Sequence, residues 1–217
     1  MTVQVGVVDY GMGNRRSVQK ALERVGARVS IARDHDELRA CDGLVIPGVG
    51  AFPLAMRNLR ELQLDELIRG RAGEGAPVLG VCLGMQLLFE VSHELERTEG
   101  LGLMGGEVTW LDTGGLRMPH IGWNVVRFER TSPLTAGLPA KGCPFYHVHS
   151  LAPRPSASAN VVGTTEYGER FATMVQRGNV FGVQFHPEKS SGHGLELLSN
   201  FVALCAARPT RTAGLQA

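Results

Sequence analysis

The sequence carries almost no net charge. Its 217 residues hold 22 Lys and Arg against 21 Asp and Glu, a formal balance of +1. That balance gives no electrostatic footprint for nucleic acid or an anionic membrane. No apolar run approaches the ~20 residues needed to cross a bilayer. The opening residues, Met1 to Asp9, pass straight into a strand pattern, without the basic segment and cleavage site of a secretory leader. No C-x-x-C pair occurs, and Cys41, Cys82, Cys143 and Cys205 are scattered along the chain. A disulfide framework is therefore not expected, and a reduced cytoplasmic protein is. No internal repeat and no long linker interrupts the chain. Residues 1–207 are expected to form one domain, and 208–217, polar and small, a frayed tail.

What is present is an α/β rhythm. The chain is 43% hydrophobic with 28 Gly and 11 Pro, enough for a sizeable core. Val3–Val8 is a continuous apolar run, as in a strand covered on both faces. Arg16–Val25 has helical spacing and ends at Gly26. Strands are expected at Arg28–Ala32, Gly43–Ile46 and Pro77–Val81. Helices are expected from Asp34 as N-cap to Arg39, over Phe52–Arg60, Leu64–Arg71 and Gly84–His93. This alternation predicts a mostly parallel sheet flanked by helices. The second half predicts short strands at Val108–Leu111, Met118–Phe128, Phe145–Leu151, Asn160–Glu166, Phe171–Gln176 and Val180–Phe185. These are expected to add antiparallel pairs to the parallel core. A closing helix, Leu195–Ala206, directs Leu195, Leu198, Phe201, Val202 and Cys205 inward.

One cysteine stands in a distinctive setting. Gly80-Val81-Cys82-Leu83-Gly84 joins an apolar strand to a helix start, the geometry by which Gly-x-Ser-x-Gly enzymes present a nucleophile. The two glycines let strand and helix pass close to the strained residue between them. A thiol at a helix start also feels the positive end of the dipole, which favours thiolate. The bland alternative is a buried small hydrophobe. Gln184-Phe185-His186-Pro187-Glu188 supplies a second signal. Pro187 biases His186 towards extended backbone, and residues two apart in a strand share a face. Glu188 can then orient the imidazole that deprotonates the thiol. A third signal is Pro47-Gly48-Val49-Gly50 at the end of an earlier strand, where open α/β sheets bind ligands. An oxyanion intermediate needs two donors. The N–H of Leu83 is one candidate, and the glycine loop permits the geometry of the other; the plainer alternative for that loop is an ordinary strand-to-helix turn.

Gly80–Gln86 together with His186-Pro187-Glu188 resembles the class I, or triad, glutamine amidotransferases, whose fold has a flavodoxin-like core. Three further segments resemble the glutaminase subunits of imidazole glycerol phosphate synthases in that family. They are Asp9-Tyr10-Gly11-Met12-Gly13-Asn14, Pro119-His120-Ile121-Gly122-Trp123-Asn124, and His147-Val148-His149-Ser150. The resemblance implies hydrolysis of glutamine to glutamate and ammonia through a cysteine thioester, with no cofactor and no metal. It implies Cys82 as nucleophile, His186 as base and acid, and Glu188 as its orienting partner. Val49 and Leu83 are implied for the oxyanion hole, and Gly48, Gly50, Gln86, His149 and Ser150 for the glutamine pocket. The implied partner is a (β/α)8-barrel cyclase, forming a heterodimer in histidine biosynthesis and receiving ammonia through its barrel. Asn14, Pro119, His120 and Trp123 are implied for that interface. The chain departs from the family pattern at Arg15-Arg16, where the second position is more often apolar, and at Leu151, where an aromatic is common.

Other readings carry less. Gly11-x-Gly13 lacks the third glycine of a dinucleotide loop, since Arg16 stands there. His147-x-His149 is a possible metal pair, without a nearby cysteine or carboxylate to complete it. Trp123 fits either core or partner anchor. Arg15, Arg16 and Lys20 fit either a solvated face or an acidic partner. The competing functions are a glutaminase serving another synthase, such as one making pyridoxal phosphate, a free γ-glutamyl hydrolase, and a catalytically silent regulatory subunit.

Overall fold

The computed structural model describes residues 2–207. The tail expected over 208–217 lies outside the described residues. The first half runs β1 (Gln4–Val8), α1 (Arg15–Arg24), β2 (Arg28–Ala32), α2 (His35–Ala40), β3 (Gly43–Ile46), α3 (Phe52–Glu61), α4 (Leu64–Gly73), β4 (Val78–Val81), α5 (Leu83–Leu87). Then follow β5 (Phe89–Ser92), β6 (Thr98–Glu99), β7 (Met104–Trp110), β8 (His120–Phe128), β9 (Cys143–His149), β10 (Leu151–Pro155), β11 (Val161–Tyr167), β12 (Glu169–Arg177), β13 (Val180–Val183) and α6 (Ser191–Ala206).

Nine strands form the main sheet in the order β2-β1-β3-β4-β13-β12-β11-β8-β9. It is parallel from β2 to β13 and antiparallel from β12 to β9. Strand periodicity explains its two-sided burial. Val5, Val7, Val45, Leu79 and Val81 point to one layer, with α1 and α6. Val8, Leu44, Ile46 and Val78 point to the other, with α2, α3, α4 and α5. Burying each such side chain contributes about 1.5–3 kcal/mol relative to exposure.

Local signals hold at the ends of the early helices. Gly26, at φ +94°, closes α1, where Ala27 N–H reaches Leu22 O and Gly26 N–H reaches Glu23 O. That pair of bonds is a Schellman ending, which glycine adopts without Cβ strain. Asp34 caps α2 by accepting the Glu37 N–H at 2.9 Å. Asp34→Ala is expected to cost about 1 kcal/mol in urea unfolding. An unchanged midpoint would show that water caps this end equally well.

Three expectations need correction. Gly84–His93 is not one helix: α5 ends at Leu87 and the chain turns into β5. Phe89 and Val91 are strand-forming residues, and β7 lies alongside to pair with them. Phe145–Leu151 is not one strand: the chain breaks at Ser150, and β10 leaves for a second sheet. That sheet, β10-β7-β5-β6, lies outside the main one. Its β7 and β10 pack Val108 and Leu151 into the same core cluster as α3 and α5. In α6, Leu198, Phe201, Val202 and Cys205 are buried as expected, Leu195 is only half-buried against the core, and Leu197 joins the buried face.

Candidate active site

The tight turn from strand through Cys82 to helix forms as the sequence implies. Cys82 follows β4 and holds φ 56°, ψ −113°, a region costly for a residue with a side chain. Helix α5 starts at once behind it. A Cβ on Gly84 would stand 1.8 Å from Ile46 O, and one on Gly80 would stand 2.4 Å from Gly84 O. Only two glycines allow that approach. The adjacent parallel strand β13 pairs Val183 with Val81, and the Cys82 N–H donates to Val183 O at 2.8 Å. The two strands therefore end side by side, and their continuations carry Cys82 and His186 to one edge.

His186 is extended (φ −102°, ψ 95°), as the following proline requires. Glu188 does not share a strand face with it. Residues Pro187–Lys189 form a single 3-10 turn, and the turn swings Glu188 back to the ring. His186 Nδ1 lies 2.9 Å from Glu188 Oε1, and both side chains are almost wholly buried. Burial alone would lower the His186 pKa. Hydrogen bonds and charge from Cys82 and Glu188 outweigh it and raise the pKa to about 10. With Nδ1 committed to Glu188, Nε2 is the nitrogen left for the sulfur. Ser190 pins this turn, donating to His186 O at 2.6 Å and accepting the Tyr146 N–H at 3.0 Å.

Above the sulfur lies a cavity of about 290 Å³. Val49, Gly50, Leu83, Gln86, His149 and Ser150 line it with Cys82 and His186. Gly48 does not. It backs the elbow, where a Cβ would meet Leu83 Cβ at 2.6 Å and Gly84 N at 2.7 Å. Its lack of a side chain serves packing under the pocket. Glu94, Trp110 and Lys189 also line the cavity and carried no sequence signal. Glu94 and Trp110 come from the second sheet and its connections, which strand alternation does not place beside Cys82. Gln184 was detectable: it stands two residues before His186, and its Nε2 lies 3.7 Å from Cys82 Sγ.

Among the expected interface residues the structure separates two kinds. Trp123 is about half-exposed, and Ile121 and Val125 are exposed on the same face of β8. Pro119 is exposed and Asn14 half-buried. Asn14 instead lines a different cavity, with Asp9, Arg15 and Arg16. His120 is buried at 3% exposure and faces inward. Strand alternation forces this, since Ile121 and Trp123 take the outer face. His147 and His149 are also buried, each engaged by hydrogen bonds.

The geometry has known relatives. The family model described as glutamine amidotransferase class-I matches residues 6–205. The imidazole glycerol phosphate synthase subunit HisH of Moorella thermoacetica is 52% identical over 197 residues, covering 91% of this chain and 93% of that protein. The HisH subunit of Aquifex aeolicus is 48% identical, covering 90% and 94%. The solved structure of PurLQS from Thermotoga maritima superposes with a TM-score of 0.75 at 21% identity, covering 94% and 98%, a likeness of fold. Elbow, neighbouring histidine and match across nearly the whole chain agree: this chain belongs to the class-I glutamine amidotransferases, in the group of HisH subunits of imidazole glycerol phosphate synthase.

Proposed function

We propose that the chain hydrolyses glutamine and passes the ammonia to a (β/α)8-barrel cyclase in a heterodimer. That cyclase makes imidazole glycerol phosphate and an aminoimidazole carboxamide ribotide in histidine biosynthesis. The carrying observation is the Cys82–His186–Glu188 set, opening into a cavity sized for one amino acid. The Cys82 thiolate attacks the side-chain amide carbon of glutamine. The N–H groups of Leu83 and Val49 receive the charge that develops on the amide oxygen. His186 gives its proton to the departing nitrogen, and ammonia leaves. A water then attacks the thioester, His186 takes one of its protons, and glutamate leaves the restored cysteine. At the other end of the substrate, the Glu94 carboxylate suits the α-ammonium. Gln86 presents its carbonyl oxygen there, because its amide nitrogen is already bonded to Leu151 O and Gln184 Oε1. His149 and Ser150 shape the wall by which the pocket holds the substrate. Residues 1–207 act as one domain, a reading supported by the core cluster shared between the two sheets.

The partner surface is supported by the outer face of β8 and β9. Ile121 faces Val148, Trp123 faces Tyr146 and Val125 faces Pro144. This apolar ladder borders the cavity, since Val148 lines the pocket too. Lys189, also a pocket residue, sits 6.0 Å over the Tyr146 ring. Ammonia leaving the thioester would emerge against a docked partner rather than into water. Trp123 is the anchor of this face, with Pro119 just before β8 at its margin; Asn14 would meet the partner apart from this ladder, at the cavity it lines with Asp9, Arg15 and Arg16. Trp123→Ala is expected to weaken cyclase binding about 30-fold, or about 2 kcal/mol. Glutamine hydrolysis titrated with the cyclase and its ribotide ligand reads both claims. Strong stimulation whose half-point moves in the variant is the expected result. Full activity without any partner would make the chain an autonomous hydrolase.

A further inference from the structure

Behind the pocket wall lie buried polar groups that the hydrolysis steps do not use. His120 stands opposite His149 across β8 and β9, and both point inward. Their hydrogen-bond directions follow from groups with a single role. The Leu151 carbonyl can only accept, and it lies 2.8 Å from His149 Nδ1. Nδ1 therefore carries the proton. Burial holds this ring neutral, with its pKa pushed down to about 3. Its Nε2 is then the acceptor for His120 Nδ1–H, 3.0 Å away. Burial also keeps His120 neutral, at about 4, so its bare Nε2 accepts from Asn124 Nδ2 at 3.2 Å.

The same Leu151 carbonyl continues the chain. It accepts one N–H of Gln86 at 3.2 Å, and Gln86 gives its other N–H to Gln184 Oε1 at 3.0 Å. This fixes which way round the Gln184 amide lies: Nε2 faces the sulfur, 3.7 Å away. The backbone of Gln184 is held as well, its N–H donating to Thr173 O at 2.9 Å. Thr173 is itself braced by its hydroxyl against His147 Nε2 at 2.9 Å. Gln184 has no solvent exposure. An unbroken sequence of hydrogen bonds thus runs from Asn124 on β8 to the nucleophile.

We infer that Gln184 donates a hydrogen bond to the Cys82 sulfur during catalysis, and that His120 and His149 are positioning residues that brace the Leu151 carbonyl from which the Gln86 and Gln184 amides take their direction. The inference rests on Cys82 being the nucleophile. An amide N–H suits this task because it favours the thiolate without acting as a second base. Hydrogen bonds to a charged acceptor are about twice as strong as neutral ones, so the donor favours the ionised sulfur over the thiol. Neutral rings suit the relay, since a protonated imidazole would offer no acceptor to its neighbour. The other titratable groups around the sulfur are His186, with Glu188 behind it, Tyr10 from the β1 loop, and His149, Glu94 and Lys189 of the cavity wall. Among these, Gln184 is the donor that pH does not change.

The test follows alkylation of Cys82 by iodoacetamide across pH in the full chain, read on the Cys82 peptide by mass spectrometry. All four cysteines are buried, and Cys82 is the one that lines this cavity. Gln184→Met keeps the volume and removes the donor. Its profile midpoint is expected to move up by about one pH unit, making alkylation about tenfold slower below it. The rates should converge at high pH, which a distorted site would not produce. Partner-stimulated kcat should fall about tenfold with KM within about twofold. Gln184→Glu, similar in shape but with an acceptor facing the sulfur, should shift further in the same direction. His120→Phe keeps the ring stacked on Tyr167, at 4.1 Å between centroids, and should give a smaller shift of the same sign. Superimposed profiles for both Gln184 variants and wild type would overturn the inference. A shift in the Gln184 variants without one in His120→Phe would overturn the relay and keep the donor. Wild-type alkylation with no glutaminase activity beside the cyclase would defeat the glutaminase reading instead, because alkylation reports on the sulfur directly.

Discussion

Cys82→Ser should lower partner-stimulated glutamine hydrolysis by about 10⁴- to 10⁶-fold, the scale seen when a nucleophile that works as one unit with its base is removed. Serine preserves the shape of the elbow. A serine hydroxyl is far harder to ionise than a thiol. The hydrogen bond and charge of Cys82, with those of Glu188, are what hold His186 protonated, and the Cys82 share goes with the sulfur. The site suits a cysteine, where thiolate and imidazolium form together. His186→Ala should cost a comparable factor, and the double variant little more than either alone. Release of glutamate and ammonia is the readout, with thermal unfolding as control for the fold. Cys82→Gly adds a separate check. It relieves the strain at φ 56° and should raise stability by about 1–3 kcal/mol while abolishing hydrolysis. Hydrolysis within tenfold of wild type in Cys82→Ser would remove Cys82 from the mechanism.

A loss of stability as large as truncating a core side chain is expected from adding a single methyl group at Gly84. A Cβ there would sit 1.8 Å from the Ile46 carbonyl oxygen. That obstacle is backbone, held between β1 and β4 in the centre of the sheet. No rotamer change clears it, so α5 must move away from β3 and the pocket floor with it. Gly84→Ala should destabilise by about 3–5 kcal/mol, beyond the usual range for one added methyl group. For a chain this long that corresponds to about 6–20 °C in Tm. Gly70 provides the contrast. It lies inside α4 with nothing within 4 Å of its added Cβ. Gly70→Ala should stabilise by about 0.5–1 kcal/mol through helix propensity alone. Equal effects of the two substitutions in a calorimeter would mean that the tight passage at the elbow is not what constrains this position.

The parallel half of the fold was legible in the sequence because its signals are local. Most of its strands are short apolar runs, and the first two helices carry their own stop or cap, Gly26 and Asp34. The elbow and the His-Pro-Glu segment were legible for the same reason, since backbone restrictions on Gly and Pro act within one or two residues. The β5 region was not. Leu87, Leu88 and Val91 fit helical spacing, and only the presence of β7 alongside turns Phe89–Ser92 into a strand. The break at Ser150 was hidden for a similar reason. His149 and Leu151 are both buried, and nothing local tells that they belong to different sheets.

The sequence by itself determined the parts of the candidate site: a cysteine between glycines, a histidine held extended by proline, and a carboxylate two residues on. These depend on covalent geometry and on contacts a few residues long. The tertiary structure alone decided what surrounds them. It swung Glu188 to His186 by a 3-10 turn and brought Glu94 and Trp110 from a second sheet to the pocket. It also turned His120 inward while Trp123 faces out, and it aimed the Gln184 amide at the sulfur. Each of those outcomes depends on strand register and sheet order. These are set by burial summed over the whole core, which no single segment of the chain carries.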